Sequence, residues 1–210
     1  IDGVLMSDRV PIRGSPEGLA KLDSLHIPRV FVSNGGGRTE SGRAFELTRE
    51  LGVSITEDQM ILPHTPMRSV TPMFSMPSGC KLPALVVGRV GSLAVAKTIG
   101  LDNFVTLQQF AASRPFLFPQ KYDQYILEST RLDQHRPFAP DGISSVWFLE
   151  EPEDWGEALQ IIVDVLRCKD GKIPLSPSDP VELAPDGQSV PAFLANPDFV
   201  YGGHFSLVRF

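Results

Sequence analysis

Two strand-end signatures stand 31 residues apart near the start of the chain: Ile1-Asp2-Gly3, and Ser33-Asn34-Gly35 behind the apolar run at 29–32. Between them lies one helix-forming stretch, residues 15–25. Ser15 is placed to cap it, Pro16 suits its first turn, and Leu19, Ala20 and Leu22 share a face. Strand, helix, strand is a βαβ unit. Its right-handed crossover brings both strand ends to one edge of a parallel sheet, a few ångströms apart. Open α/β sheets bind their ligands at that edge. Asp2 and Ser33 with Asn34 are therefore the first candidates for chemistry: an acid from one strand and a hydroxyl and an amide from the next, facing one phosphate. Gly35, Gly36 and Gly37 let the backbone come close to a ligand. They lead into a helix whose first N–H groups favour anions.

The alternation continues. Residues 39–51 form a second helix, capped by Thr39 and stopped at Gly52. Thr56 and Gln59 make a capping box ahead of a short turn. A Pro/Ser/Met-rich stretch at 70–83 marks the clearest boundary in the chain. After it come a buried-type strand at 84–88, a helix ending at Gly100 and a strand at 103–107. Residues 111–142 read as irregular, with several prolines and aromatics. A strand follows at 143–151, then a helix at 153–167 with Leu159, Ile162, Val163 and Leu166 on one face. A polar loop at 169–189 precedes a last strand at 190–198. This order defines an α/β protein with a parallel sheet.

Composition removes several classes. With 42% hydrophobic and 21% charged residues the chain builds a core rather than staying disordered. A net charge of −6, with no Lys/Arg run, gives no basic stripe for nucleic acid. No apolar run approaches the ~20 residues of a membrane span. Cys80 and Cys168 have no CxxC spacing and read as two reduced thiols. The first strand lacks a following GxGxxG, which argues against a dinucleotide-dependent oxidoreductase.

"IDGVL" followed by "VFVSNGGGRT" resembles motifs I and II of the haloacid dehalogenase superfamily of phosphohydrolases. "ILPHTPMR", "LVVG", "FLEEPEDW" and "ANPD" follow in the order of its class IIA branch, nearest the mitochondrial group of cat-eye-syndrome-region-like proteins and their fungal relatives. The resemblance implies a Rossmann-like core with a three-layer parallel sheet and an inserted α/β cap of the C2 type. Residues 1–81 would be the first half of the core and 82–210 the cap, with the rest of the core expected beyond residue 210. It implies a Mg²⁺-dependent phosphatase that forms an aspartyl-phosphate on the residue immediately before Ile1. Asp2 would be the acid/base and give its backbone carbonyl to Mg²⁺. Ser33, Asn34 and Gly35 would hold the phosphoryl group, and Asn196 and Asp198 would come from the cap loop that selects the substrate. The motif III Lys and the motif IV acids of the family are not found in these 210 residues. The partners implied are a small phosphorylated metabolite and a second copy joined through the cap. The location implied is mitochondrial, and cytoplasmic without the resemblance.

Plainer readings stand beside these. Asp2-Gly3 can be an ordinary strand-end turn, Ser33-Asn34 a turn that satisfies its own backbone, and Asn196-Pro197-Asp198 an Asx turn. His26, His64, His135 and His204 show no ligand spacing; His64 reads as structural, while His204 follows Asp198 closely enough to reach the same site. Trp147 and Trp155 read as core. Glu150, Glu151, Glu153 and Asp154 read as acids favoured at a helix N-terminus. The functional alternative to the enzyme is a haloacid dehalogenase-fold protein with little catalysis that serves as a binding or assembly partner.

Overall fold

The computed structural model describes residues 1–7, 9–74, 82–133 and 140–196. Its first part opens with an antiparallel pair, β1 (Met6–Ser7) and β2 (Val10–Pro11), followed by α1 (Ser15–Ser24). Ser15 does not cap α1. Gly14 holds that position with φ +91°, and the Ser15 hydroxyl instead donates to the carbonyls of Leu5 and Ile12. Strand β3 (Phe31–Val32) pairs in parallel with β4 (Met60–Ile61), and α2 (Glu40–Leu51) makes the crossover. Thr39 caps α2 by accepting from the Gly42 N–H, and Gly52 ends it at φ +67°, as the sequence leads one to expect. Met6, Leu19, Phe31, Leu47, Leu51 and Met60 form the core of this part.

A larger parallel sheet follows. Its strands are β5 (Ala84–Val87), β6 (Phe104–Thr106), β7 (Ser145–Phe148) and β8 (Ala192–Leu194), in the spatial order β6-β5-β7-β8. Helices cover both faces, which is why β5 is an unbroken run of buried apolar residues. On one face Leu85, Val87 and Val146 meet α4 (Leu107–Ala112), α5 (Tyr122–Asp133) and α6 (Trp155–Arg167). On the other, Ala84, Val86 and Trp147 meet α3 (Gly91–Thr98) together with Met67, Val70 and Phe74. The stretch at 111–142 is not irregular throughout: α4 ends within it and α5 lies inside it, separated by two tight turns at prolines 115 and 119. Trp147 is fully buried, whereas Trp155 is 42% exposed and not a core residue.

Arg114 is buried among these helices, and among the described residues no carboxylate forms an ion pair with it. Its guanidinium donates to the carbonyls of Ile173 and Pro140 and to the Ser113 hydroxyl, and lies 4.3 Å from the Phe110 ring centroid. Burial lowers its pKa to about 10, so the group stays charged at neutral pH. It ties the turn after α4 to loops on either side of β7. Cys168 is buried and unbridged; Cys80 lies outside the described residues.

Candidate active site

The site begins at the end of β3. The Ser33 N–H donates to the Ile61 carbonyl at 3.1 Å, carrying the strand pair one residue further. The Ser33 hydroxyl turns back and accepts from the Gly35 N–H at 3.2 Å. Gly37 has φ +72°, a conformation that L side chains rarely adopt, and this bend delivers the chain to the Thr39 cap. The N-terminus of α2 therefore opens onto the loop that carries Ser33, Asn34 and Gly35.

Asp2 reaches the same end of α2 from the other side. It forms a single bridge to Met6, and Gly3 turns the chain at φ +73°. The Asp2 carboxylate is 72% exposed and lies 4.0 Å from the guanidinium of Arg43 in α2. Arg43 is held in turn by Glu46 at 3.1 Å, and Glu46 also takes Arg38 at 2.8 Å. Burial raises the Glu46 carboxyl pKa, but the hydrogen bonds and charges of the two arginines outweigh it and leave it below its ordinary value. From the second sheet, the Asn196 side-chain amide donates to the Asn34 carbonyl at 3.2 Å. Asp198 and His204 lie outside the described residues.

Behind the loop lies a buried cluster that the sequence pattern does not announce. Glu40, in the first turn of α2, is almost wholly buried. It accepts from the Thr65 hydroxyl at 2.8 Å, and lies 2.9 Å from Arg68 and 3.4 Å from the ring of His64. An acid at a helix start normally reads as solvated, so nothing local distinguished this one. Glu150 was likewise expected at a helix N-terminus. It lies instead at the end of β7, its side chain 11% exposed, 3.3 Å from both Arg89 and the Ser92 hydroxyl.

Magnesium takes six oxygens, commonly one or two carboxylates with water and substrate phosphate. Among the described residues no group of three or more His, Cys, Asp or Glu gathers as a metal site, and Asp2 alone does not make one. The described residues alone do not complete a magnesium site; the Asp2 backbone carbonyl would be one donor among several, and no step below passes through the metal. Among the described residues, no helix is long and apolar enough to cross a membrane.

Comparison with known proteins bears on family and fold. Residues 1–102 match the family described as haloacid dehalogenase-like hydrolase. The whole chain is 26% identical to a mitochondrial hydrolase of Saccharomyces cerevisiae, and covers 56% of it. It is also 26% identical to a cardiolipin synthase/mitochondrial hydrolase fusion protein of Schizosaccharomyces pombe, and covers 33% of that. Two crystal structures share the fold. A hypothetical protein of Pyrococcus horikoshii aligns over 97% of the chain and 59% of its own length, at a TM-score of 0.57 and 16% identity. A possible sugar phosphatase of the haloacid dehalogenase superfamily from Cytophaga hutchinsonii aligns over 90% and 63%, at 0.52 and 17%. The haloacid dehalogenase-like hydrolase match covers residues 1–102, just under half of the chain, and the chain resembles that family. It spans about half the length, or less, of the curated relatives it matches.

Proposed function

We propose that this chain is part of a class IIA haloacid dehalogenase-type phosphatase that hydrolyses a small phosphorylated metabolite. In this reading residues 1–81 belong to the catalytic core and residues 82–210 to its cap. The observation that carries it is that Asp2 and the Ser33 loop both meet the first turn of α2: Asp2 lies 4.0 Å from Arg43, and the loop after β3 runs directly into that helix. The strand expected to end at Ile1 and pair beside β3 does not form; Asp2 makes an isolated bridge to Met6, and β3 pairs with β4. A phosphoryl group at this end would meet a hydroxyl, loop N–H groups and the positive end of the helix dipole.

The chemistry assigns one task to each group. The acid that the family carries immediately before Ile1 attacks phosphorus and the ester oxygen leaves. Asp2 gives that oxygen a proton, then takes one from the water that cleaves the aspartyl-phosphate. Ser33 donates to the phosphoryl oxygens as charge builds on them. Asn34 and Gly35 shape the loop, and Asn196 with Asp198 brings the cap to the leaving group. When bound, Mg²⁺ would neutralise phosphate charge, with the Asp2 carbonyl among its donors. The mitochondrial location follows the names of the two fungal relatives. A homodimer through the cap belongs to the same reading, and sedimentation of the full-length protein measures it directly.

The test uses the full-length protein with Mg²⁺ and an aryl phosphate. Asp2→Asn should lower kcat by roughly 10²–10⁴-fold, the usual worth of a placed acid/base. Ser33→Ala should cost less, because the loop N–H groups remain. Asp198→Ala should alter the preference among phosphate esters more than the rate on any one. A full-length protein inert across a broad phosphate panel, yet retaining a partner protein tightly, would establish the binding alternative instead.

A further inference from the structure

The second sheet has a reversal in its strand order. From β5 the chain moves to β6 on one side, then returns to β7 on the other. The helices after β5 and β7 consequently depart to opposite faces: α3 packs against Ala84 and Val86, and α6 against Leu85 and Val87. In an open α/β sheet this divergence leaves a crevice at the carboxyl ends of the two strands, and ligands bind there.

Here the crevice is filled by the glycine loop of the catalytic half. A Cβ added to Gly36 would lie 2.8 Å from the Leu149 carbonyl oxygen, which follows β7. One added to Gly37 would lie 2.3 Å from the Glu150 carboxylate, and one added to Gly91, after β5, 2.3 Å from the Gly37 carbonyl oxygen. Backbone carbonyls exclude a Cβ at Gly36 and Gly91, and the Glu150 carboxylate would have to move to admit one at Gly37. Glu150 is fixed by Arg89 and by the Ser92 hydroxyl, each at 3.3 Å. With Asn196 on the Asn34 carbonyl, the loops after β5, β7 and β8 all meet residues 34–37.

We infer that Glu150 is a positioning residue for the phosphate-facing loop. Held by Arg89 and Ser92, it forms the wall against which Gly36 and Gly37 seat, and so sets where Ser33 and the loop N–H groups stand. The glycines serve close packing between the halves, and the crevice of the second sheet takes this loop in place of a ligand. The role in catalysis rests on the phosphatase reading; the seating does not.

Two measurements separate those claims, both on the full-length protein. The first is a thermal-stability cycle of Gly37→Ala, Glu150→Ala and the double variant. Gly37→Ala should lower Tm by several degrees, since it adds a clash to a strained φ. In the Glu150→Ala background the same change should cost clearly less, because the wall is gone. Equal costs in both backgrounds would overturn the seating, whether or not the protein hydrolyses phosphate. The second is steady-state kinetics on the aryl phosphate. Glu150→Ala should lower kcat about 10–100-fold, the scale of a loop displaced by about an ångström, with KM changed less than threefold. Glu150→Gln, which keeps the shape and the Ser92 hydrogen bond, should recover most of kcat. If Glu150→Ala is too unstable to purify, Arg89→Ala replaces it with the same expectation in milder degree. A wild-type rate in Glu150→Ala, or a Glu150→Gln variant as slow as the alanine, would overturn the positioning role. An inactive wild type with an intact stability coupling would overturn the phosphatase reading and leave the seating standing.

Discussion

At the scale of single residues, the site depends on groups that titrate where solvent does not reach. His64 is fully buried and, among the described residues, neither ring nitrogen has a hydrogen-bond partner. Burial pulls its pKa below the ordinary 6.5; the Glu40 carboxylate opposes this and the Arg68 charge adds to it. Burial also pushes the Glu40 carboxyl up, but its hydrogen bonds, including that from Thr65, and the charges of His64 and Arg68 carry it below the ordinary 4.5. The unfolded chain thus takes up a proton at His64 at higher pH than the folded chain does. That contribution to stability is complete above about pH 6.5 and is lost as pH falls from there toward the lower folded value. The Glu40 contribution persists to lower pH and is lost below its ordinary value. Tm measured by calorimetry should therefore fall between about pH 7.5 and 5.5. In His64→Asn that slope should flatten, with the loss below about pH 4.5 retained. Equal slopes in both proteins would show that His64 does not set the dependence. The sequence identifies His64 as a structural residue, because it is isolated from any ligand spacing. It cannot reveal Glu40, since the burial of an acid in a first turn comes from chain 25 residues away.

At the scale of elements, local chemistry was readable and competing faces were not. The Thr39 cap, the Gly52 stop and the Thr56–Gln59 capping box all stand as their residue types require. Helix α6 begins at the Asp154 cap, yet it turns a different side inward from the one its pattern suggested. Ala158, Ile161, Ile162 and Val165 are buried, while Leu159 and Val163 are about half exposed. Apolar residues run more than halfway around this helix, so a period of 3.6 fits two stripes equally well. The sheet selects the stripe with the small Ala158, which lets the helix axis approach. Helices α4 and α5 were missed for the opposite reason. Prolines 115 and 119 dominate the stretch between them, and each helix is too short or too polar to stand out. The orientation of α6 has a direct test. Ile161→Ala should cost about 2–5 kcal/mol in urea unfolding, as for other buried branched residues. Leu159→Ala should cost less than about 1 kcal/mol. The reverse ranking would restore the face expected from periodicity.

At the scale of the whole molecule, strand–helix alternation was enough to identify the α/β class, because a parallel sheet needs crossovers that the sequence visibly contains. The join between the halves was harder to read. The Pro/Ser-rich break suggested a division at 81/82, on the ground that composition changes there. The proposed reading keeps that boundary, yet packing ties residues 65–74 of the first part to the second sheet. Met67, Val70 and Phe74 join Ala84, Val86, Trp147 and Leu149 in one cluster. The Phe74 ring meets Trp147 edge-on at 5.8 Å and Phe193 at 5.4 Å, and Arg68 donates to the Thr98 carbonyl. Thr71 donates to the Ile99 carbonyl, so residues 65–74 act as a cover for one face of the second sheet. Cutting at 82 would strip that cover and expose apolar area on Val86 and Trp147, and each large side chain removed from such contact costs on the order of 1.5–3 kcal/mol. We expect a fragment of residues 65–210 to unfold cooperatively in urea, with a single midpoint. The fragment 82–210 should unfold at a markedly lower midpoint or bind a hydrophobic dye before any denaturant is added. Placing Phe74→Ala in the longer fragment should move it toward the shorter one, because that ring bridges two strands of the sheet. If the two fragments share one midpoint, residues 65–74 belong to the catalytic half and the boundary at 81/82 stands.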